Sequence, residues 1–314
     1  MNKNIIPKLE KSYDIAVKDL SFLRESPDNS VFVLLAEDGH KYVVRISKRN
    51  VLDDILFELS FMDFLALNKV PVPKILKTKV GNLFGSIDRF AIVIFEYIDG
   101  YHIEISPDKK PDLKLVAQAA QTLAKIHNIS ASFKTTINRK RSIFTEIERA
   151  LEKEKILTEK SEGGGRFIKE IEIYSDWAKK NYKDEVIIQN DYRTGNIFFQ
   201  SKRLKAIVDF DWICKGPAIK DLAHSLAEWS HPDGAKEYWK DVFDVFLENY
   251  NKLAKSEFRL DNNLYKWICF SCLSDAANYF VDLADERVYK KIAGSYMYQK
   301  YLFFRRLDNE SLFL

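Results

Sequence analysis

Three oxygen-bearing side chains stand at a spacing that suits phosphoryl transfer. In IIQNDYRTGNIFFQSKRLKAIVDFDW, Asp191 lies five positions before Asn196, and Asp209 closes an apolar run thirteen positions further on. Phosphoryl transfer needs one carboxylate to orient the accepting hydroxyl and two hard oxygen donors to hold Mg2+ against nucleotide phosphates. The D-x-x-x-x-N spacing alone also fits an ordinary polar turn. The compound pattern is more specific: one apolar run precedes the loop, a second follows it, and a third ends in Val208-Asp209-Phe210-Asp211.

Such a loop must be held between strands, and the chain supplies them. Residues 186–210 read as two or three short strands around the polar stretch Gln189 to Asn196 and the turn Ser201-Lys202-Arg203. Upstream, residues 14–24 alternate weakly, and residues 30–36 and 41–47 form a hairpin across Glu37-Asp38-Gly39-His40. Residues 51–67 switch to helical spacing, with Leu52, Ile55, Leu56, Leu59 and Leu67 on one face and Asp53 and Asp54 at the positive end. Pro71-Val72-Pro73 stops that helix, and strands follow at 75–80 and 90–98, separated by the turn signal Gly81-Asn82. Beyond Gly100 the character changes. From Pro111 onward most segments are helical, beginning with the stripe Leu113, Val116, Ala117, Ala120, Leu123 and Ile126.

Composition narrows the field. A chain of 314 residues, 46% hydrophobic and 30% charged, has enough apolar material for a substantial core and two lobes. Its 49 Lys and Arg against 46 Asp and Glu leave a formal charge of only +3, which argues against nucleic acid as a partner. The sequence has no apolar run of the roughly 18 residues that span a bilayer. The start, MNKNIIPKLEKSYD, lacks a secretory apolar core, so the expectation is a cytoplasmic protein without a membrane partner. Cys269 and Cys272 form a lone C-x-x-C in an apolar run with no second cysteine pair, which favours helix packing over metal binding. Gly163-Gly164-Gly165 lacks the Lys-Ser/Thr of a P-loop and is expected to join two helices.

The chemistry-bearing segments resemble the aminoglycoside phosphotransferase and choline kinase superfamily. QNDYRTGNIFF is similar to that family's H-G/N-D-x-x-x-x-N loop, AIVDFDW to its I-D-F-D/E-W strand, and Gly216-Pro217 with Asp221-Leu222-Ala223 to its G-P-x-x-x-D-L-A sequel. LAKIHNI resembles its L-A-x-L-H helix end, and FEYIDG its hinge. The resemblance spans most of the chain. It implies an α+β, bilobal protein-kinase-like fold: a small mixed-sheet lobe with one helix over residues 1–96, and a larger, mainly helical lobe over 97–314. It also implies an ATP- and Mg2+-dependent kinase, with GTP an alternative donor, acting on a hydroxyl of an amino alcohol, aminoglycoside, homoserine-like compound or sugar.

Carried residue by residue, the resemblance makes Asp191 the catalytic carboxylate, Asn196 and Asp209 the metal ligands, and Asp221 a brace for the loop. Arg45 stands where the phosphate-contacting residue of the third strand belongs, with Glu58 on the following helix as its partner. Backbone N–H groups at Asn29 and Ser30, in the glycine-free loop Glu25-Ser26-Pro27-Asp28-Asn29-Ser30, are candidates for phosphate contact. Glu96, Tyr97 and Ile98 would form the adenine hinge. Glu228, Asp233, Asp275, Asp282 and Asp285 are candidate acids for a cationic acceptor, each also readable as a solvated helix face. His127 reads as a satisfied structural histidine. Gln189 replaces the histidine that opens the family's loop motif, and its amide can substitute by donating and accepting. Together with Arg45 and the glycine-free loop, it leaves a runner-up: a kinase-like protein that binds a ligand or partner without turnover. A protein kinase proper is disfavoured because Asp211 follows Asp209-Phe210 where glycine belongs, and a triad hydrolase because no G-x-S-x-G elbow occurs.

Overall fold

The computed structural model describes residues 5–26, 28–48, 51–183, 185–285 and 292–310; for 282–285, 293, 309 and 310 it describes the backbone only. Helix α1 (Ile6–Ser12) leads into strands β1 (Val17–Glu25), β2 (Asn29–Ala36) and β3 (Lys41–Ser47), followed by helix α2 (Leu52–Leu67). Strands β4 (Ile75–Leu76), β5 (Gly85–Ile87) and β6 (Phe90–Glu96) complete the first region. The strand order is β1-β2-β3-β6-β4, with β5 also pairing β6.

Every pairing in this sheet is antiparallel, which corrects the expected mixed sheet. Short returns such as 37–40 can only reverse the chain, and the one long connection, through α2, brings β6 back antiparallel to β3. The sheet buries both faces. Leu20, Phe32, Leu34, Val44, Ile92 and Ile94 pack with Leu9 and Tyr13 of α1, a helix not anticipated from the sequence. Val93 on the other face joins the core that contains Phe57, Phe61 and Leu65 of α2. The expected α2 face holds at Ile55 and Leu59, but Leu52 and Leu67 are exposed. They occupy the terminal turns, and the buried residues of the helix lie between them, from Ile55 to Leu65. The strand expected over 75–80 stops after Leu76, because Gly81 donates back to the Thr78 carbonyl and closes a turn.

Helices α3 (Leu113–Ser130), α4 (Thr145–Glu152), α5 (Glu154–Lys160) and α6 (Gly164–Asn181) open the helical part. Asp112 caps α3 by accepting from the Lys114 N–H at 2.9 Å. Gly163 has φ +88° and turns the chain between α5 and α6, as expected for a helix joint. Next come β7 (Glu185–Ile188), β8 (Ile197–Gln200), β9 (Arg203–Ile207) and β10 (Cys214–Pro217), paired β8 with β9 and β7 with β10. Helices α7 (Ala218–Ser230), α8 (Lys240–Asn251), α9 (Asn262–Asp285) and α10 (Tyr296–Glu310) finish the chain. Cys269 and Cys272 are free and buried in α9, as the packing reading required. No helix among the described residues is long and apolar enough to cross a membrane.

Candidate active site

The loop between β7 and β8 is held from below by one buried carboxylate. Asp221, in the first turn of α7, accepts from the backbone N–H of Gln189 and of Asn190, each at 2.8 Å. It also meets His127 Nε2 at 2.9 Å, while His127 Nδ1 lies 2.6 Å from the Tyr250 hydroxyl. Burial works against the Asp221 charge, but His127, Lys220 and the Gln189 N–H outweigh it and lower its pKa. Both the brace and the satisfied histidine are thus in place. Lys220, almost fully buried, donates to the Asn190 side-chain carbonyl, and Asn190 takes a left-handed φ of +66°.

Gln189 joins the loop to the strand end that carries Asp209. Its Nε2 donates to the Asp209 carbonyl at 2.9 Å, and its Oε1 accepts from the Asp191 N–H at 2.6 Å. One amide therefore serves both segments. Asn196 Nδ2 donates to Asp191 Oδ2 at 2.7 Å and to the Asp191 carbonyl at 2.9 Å, so its carbonyl oxygen remains the group to offer a cation. Arg193 Nε lies 3.0 Å from Asp191 Oδ1.

Asp209 adopts φ +62°, a costly conformation for a residue with a side chain. Burial raises its pKa, and the carboxylates of Asp211 and Asp191 raise it further, against Arg24 and Arg45. The Arg24 guanidinium approaches Asp209 Oδ2 at 3.4 Å. The Asp209 carboxylate and the uncommitted Asn196 amide oxygen are hard oxygen donors of the kind a divalent cation takes, so the donors present fit Mg2+. Among the described residues no three His, Cys, Asp or Glu side chains form a metal cage.

On the small sheet, Arg45 is buried and its Nη1 lies 2.7 Å from Glu58 Oε1 and 2.5 Å from Asp211 Oδ1. The guanidinium carbon stands 5.3 Å from the Phe95 ring centroid. Its Nε and Nη2 are buried without a hydrogen-bond partner. Asp211, absent from the sequence-derived set, also accepts from Asn29 Nδ2, and its backbone carbonyl from Arg139 Nη2. The signal existed: Asp211 lies two positions after Asp209, in the same short segment beyond β9. Arg139 carried no such signal. It donates to the carbonyls of Ile213 and Asp54, tying the strand end to α2 from a loop without pattern.

The phosphate-loop candidates are partly committed elsewhere. The Asn29 N–H donates to Ser26 Oγ at 3.0 Å, closing a tight turn, and Ser30 sits in the ladder opposite Glu25 and Ile46. Asn29 reaches Asp211 through its side chain instead. Pro27 lies outside the described residues. At the hinge, Glu96 and Tyr97 donate to the carbonyls of Lys74 and Lys41, so Ile98 keeps the uncommitted N–H.

Beyond Asp191 the acids and cations interleave. His224 lies 3.7 Å from Asp191 Oδ1 and 3.3 Å from Asp275 Oδ2. Lys300, buried on α10, pairs with Glu228 and lies 3.8 Å from Asp233. Burial opposes the Glu228 charge, but Lys300 and His224 outweigh it and lower its pKa. Asp282 and Asp285 have side chains outside the described residues. A cavity of about 1040 Å³ is lined by His231, Tyr296, Gln299 and Phe303, with Arg305 and Arg306 at its wall. None of Asp191, Asn196 and Asp209 lines it.

The profile of the phosphotransferase enzyme family matches residues 19–251. The chain belongs to this family. A homoserine kinase of Rhodopseudomonas palustris (strain BisA53) is 26% identical over 77% of this chain and 72% of its own length. One from Rhodospirillum rubrum is 25% identical over 79% of this chain and 77% of its own. Among solved structures, an amicoumacin kinase in complex with AMP-PNP and Ca2+ has a TM-score of 0.74 at 15% identity, covering 99% of this chain and 94% of that one. A choline kinase from Cryptosporidium parvum scores 0.70 at 14% identity, covering 99% and 97%. The fold is bilobal and protein-kinase-like, and the chain is a small-molecule kinase acting on a hydroxyl acceptor.

Proposed function

We propose that this kinase uses ATP and Mg2+ to phosphorylate the hydroxyl of a small zwitterionic acceptor of the homoserine class. The carrying observation is the single amide of Gln189, which holds Asp191 and Asp209 in one site with Asn196 hydrogen-bonded to Asp191. Asn196 and Asp209 would hold Mg2+, which when bound offsets the charge of the phosphates. Asp191 orients the acceptor hydroxyl and takes its proton, with Arg193 and Asn196 fixing the carboxylate. Arg45 offers its two unpartnered donors, Nε and Nη2, to phosphate oxygens, and Ile98 offers its N–H to the adenine edge. Residues 1–96 form the nucleotide-holding lobe and residues 97–314 the acceptor lobe.

The acceptor class rests on charge matching. Arg193 accompanies Asp191, His224 accompanies Asp275, and Lys300 accompanies Glu228 and Asp233. A polycationic aminoglycoside favours acids whose charge is unspent, whereas an amino acid presents both signs to an interleaved set. The homoserine kinases among the relatives support the same class.

The test is nucleotide consumption with Mg2+ across homoserine, amino alcohols, aminoglycosides and sugars, with Asp191→Asn as control. Homoserine-type acceptors are expected to drive turnover that the control loses. Turnover unaffected by Asp191→Asn would contradict the mechanism. A thermal shift with nucleotide but no transfer to any acceptor would favour the binding-only reading.

A further inference from the structure

The imidazole of His224 sits between two carboxylates and is used by no step above. It is 2% exposed on α7, with Nδ1 3.3 Å from Asp275 Oδ2 on α9 and Nε2 3.7 Å from Asp191 Oδ1. Nε2 is buried and has no hydrogen-bond partner. A neutral imidazole has one N–H and one lone pair, so either tautomer would point a lone pair at a carboxylate. Only the doubly protonated ring offers a donor to each side.

We propose that His224 is a positioning residue: held as an imidazolium by Asp275, it fixes the ionised Asp191 carboxylate for the acceptor hydroxyl and closes the remaining gap to a hydrogen bond when the acceptor is seated. The inference rests on the kinase reading of Asp191. It adds a chain, Asp275 to His224 to Asp191, from α9 to the catalytic loop. His224 neither gains nor loses a proton in turnover. The acceptor O–H proton goes to Asp191 as the new O–P bond forms and the bond from the γ-phosphorus to the leaving nucleoside diphosphate breaks.

The electrostatics agree. Burial disfavours the charged ring, but Asp275 and Asp191 outweigh it and push the pKa to about 10, against Lys220 on the same helix. Glu228, one turn along α7, adds a further favourable carboxylate. The arrangement resembles the support of a metal-bound histidine by an outer carboxylate, where removing the support costs about 10- to 100-fold.

The test pairs an NMR arm with a kinetic arm on the full chain. With 15N-histidine labelling, and His224→Gln to assign the resonance among the five histidines, both ring nitrogens of His224 are expected to be protonated at pH 8. Asp275→Asn is expected to lose that signature. In turnover, His224→Leu should lower kcat about 10- to 100-fold with the nucleotide KM unchanged. Asp275→Asn should lower it less and add little to His224→Leu, because the two act through one contact. His224→Gln, which keeps one donor, should retain more activity than His224→Leu. A neutral His224 at pH 8, an additive double variant, or an unchanged kcat in Asp275→Asn overturns the inference. Should His224→Leu fail to fold, the Asp275→Asn kinetics and the NMR arm decide it. Wild-type chain that transfers phosphate to no acceptor sinks the kinase reading and this inference together. Active wild type indifferent to both residues sinks only this one.

Discussion

Gln189 donates to the backbone carbonyl of Asp209 at 2.9 Å, while its own carbonyl accepts from the Asp191 N–H at 2.6 Å. A fully buried amide thus spans the two segments whose side chains must converge. The residue that departs from the family's histidine is the fastener of the site.

Replacing Gln189 with Ala should therefore separate stability from catalysis. Two part-buried backbone groups lose their partner, which costs at most about 1–3 kcal/mol for each group left unsatisfied. Activity should fall by more than the folded fraction does, about tenfold or beyond, because misplacing reacting groups by an ångström is expensive. Denaturant titration beside kcat at saturating nucleotide measures both. A variant with wild-type kcat per folded molecule would show that the loop positions itself without this amide.

Arg45→Ala and Arg45→Lys should diverge. Alanine removes the cation that Glu58 and Asp211 share, and breaking a buried ionic contact costs about 3–5 kcal/mol. Lysine keeps the charge but loses the planar fork, so stability should fall less while the nucleotide KM rises. Thermal melts and nucleotide KM for the two variants provide the check; equal melts would mean that the charge contributes nothing.

Gly100 lies just past the hinge, where a Cβ would stand 2.7 Å from the Phe199 carbonyl oxygen. The Tyr101 N–H donates to that same oxygen at 2.9 Å, joining the hinge segment to β8. Gly100→Ala must push the two backbones apart, at about 1–3 kcal/mol. Gly39 has open space around it, so Gly39→Ala should cost only its left-handed φ of +86°, roughly 1 kcal/mol. Chemical unfolding of the two variants should rank them in that order, with loss of kcat confined to Gly100→Ala.

The acid side of the stability curve should carry the mark of His231. Burial pushes its pKa down to about 4 from an ordinary 6.5, with Lys300 adding to the effect. The unfolded chain takes up a proton on this residue below about pH 6.5, and the folded chain only near pH 4. Its contribution to stability is therefore complete above pH 6.5 and is lost as pH falls from there toward 4. His231 packs 4.8 Å from the Phe303 ring, and neither ring nitrogen has a hydrogen-bond partner. His231→Phe should flatten that stretch of the curve. Melts at pH 7.5 and 5 test it: an unchanged difference between the two pH values would refute the assignment.

Much of the N-terminal region was legible because hairpin turns and strand alternation are local. The 37–40 turn and β3 fall where the pattern puts them. The lengths of β4 and α2's exposed ends were not legible, since they depend on where neighbouring elements stop covering them. Of the candidate site, the meeting of Asp191, Asn196 and Asp221 was readable because one short loop and one helix start hold them together. Arg139, Lys300 and His224 were not, since their partners lie 33 or more positions away in the chain and no local pattern marks such a pairing.

By itself the amino-acid sequence determined which side chains can do the chemistry and the short-range geometry that spaces them, because backbone periodicity and turn preference act over a few residues. Tertiary structure alone decided which charges meet: Arg45 with Asp211, Lys300 with Glu228, His224 with both Asp191 and Asp275. The physical reason is that electrostatic and packing energies depend on distance in space, and folding brings together groups that the order of the chain keeps far apart.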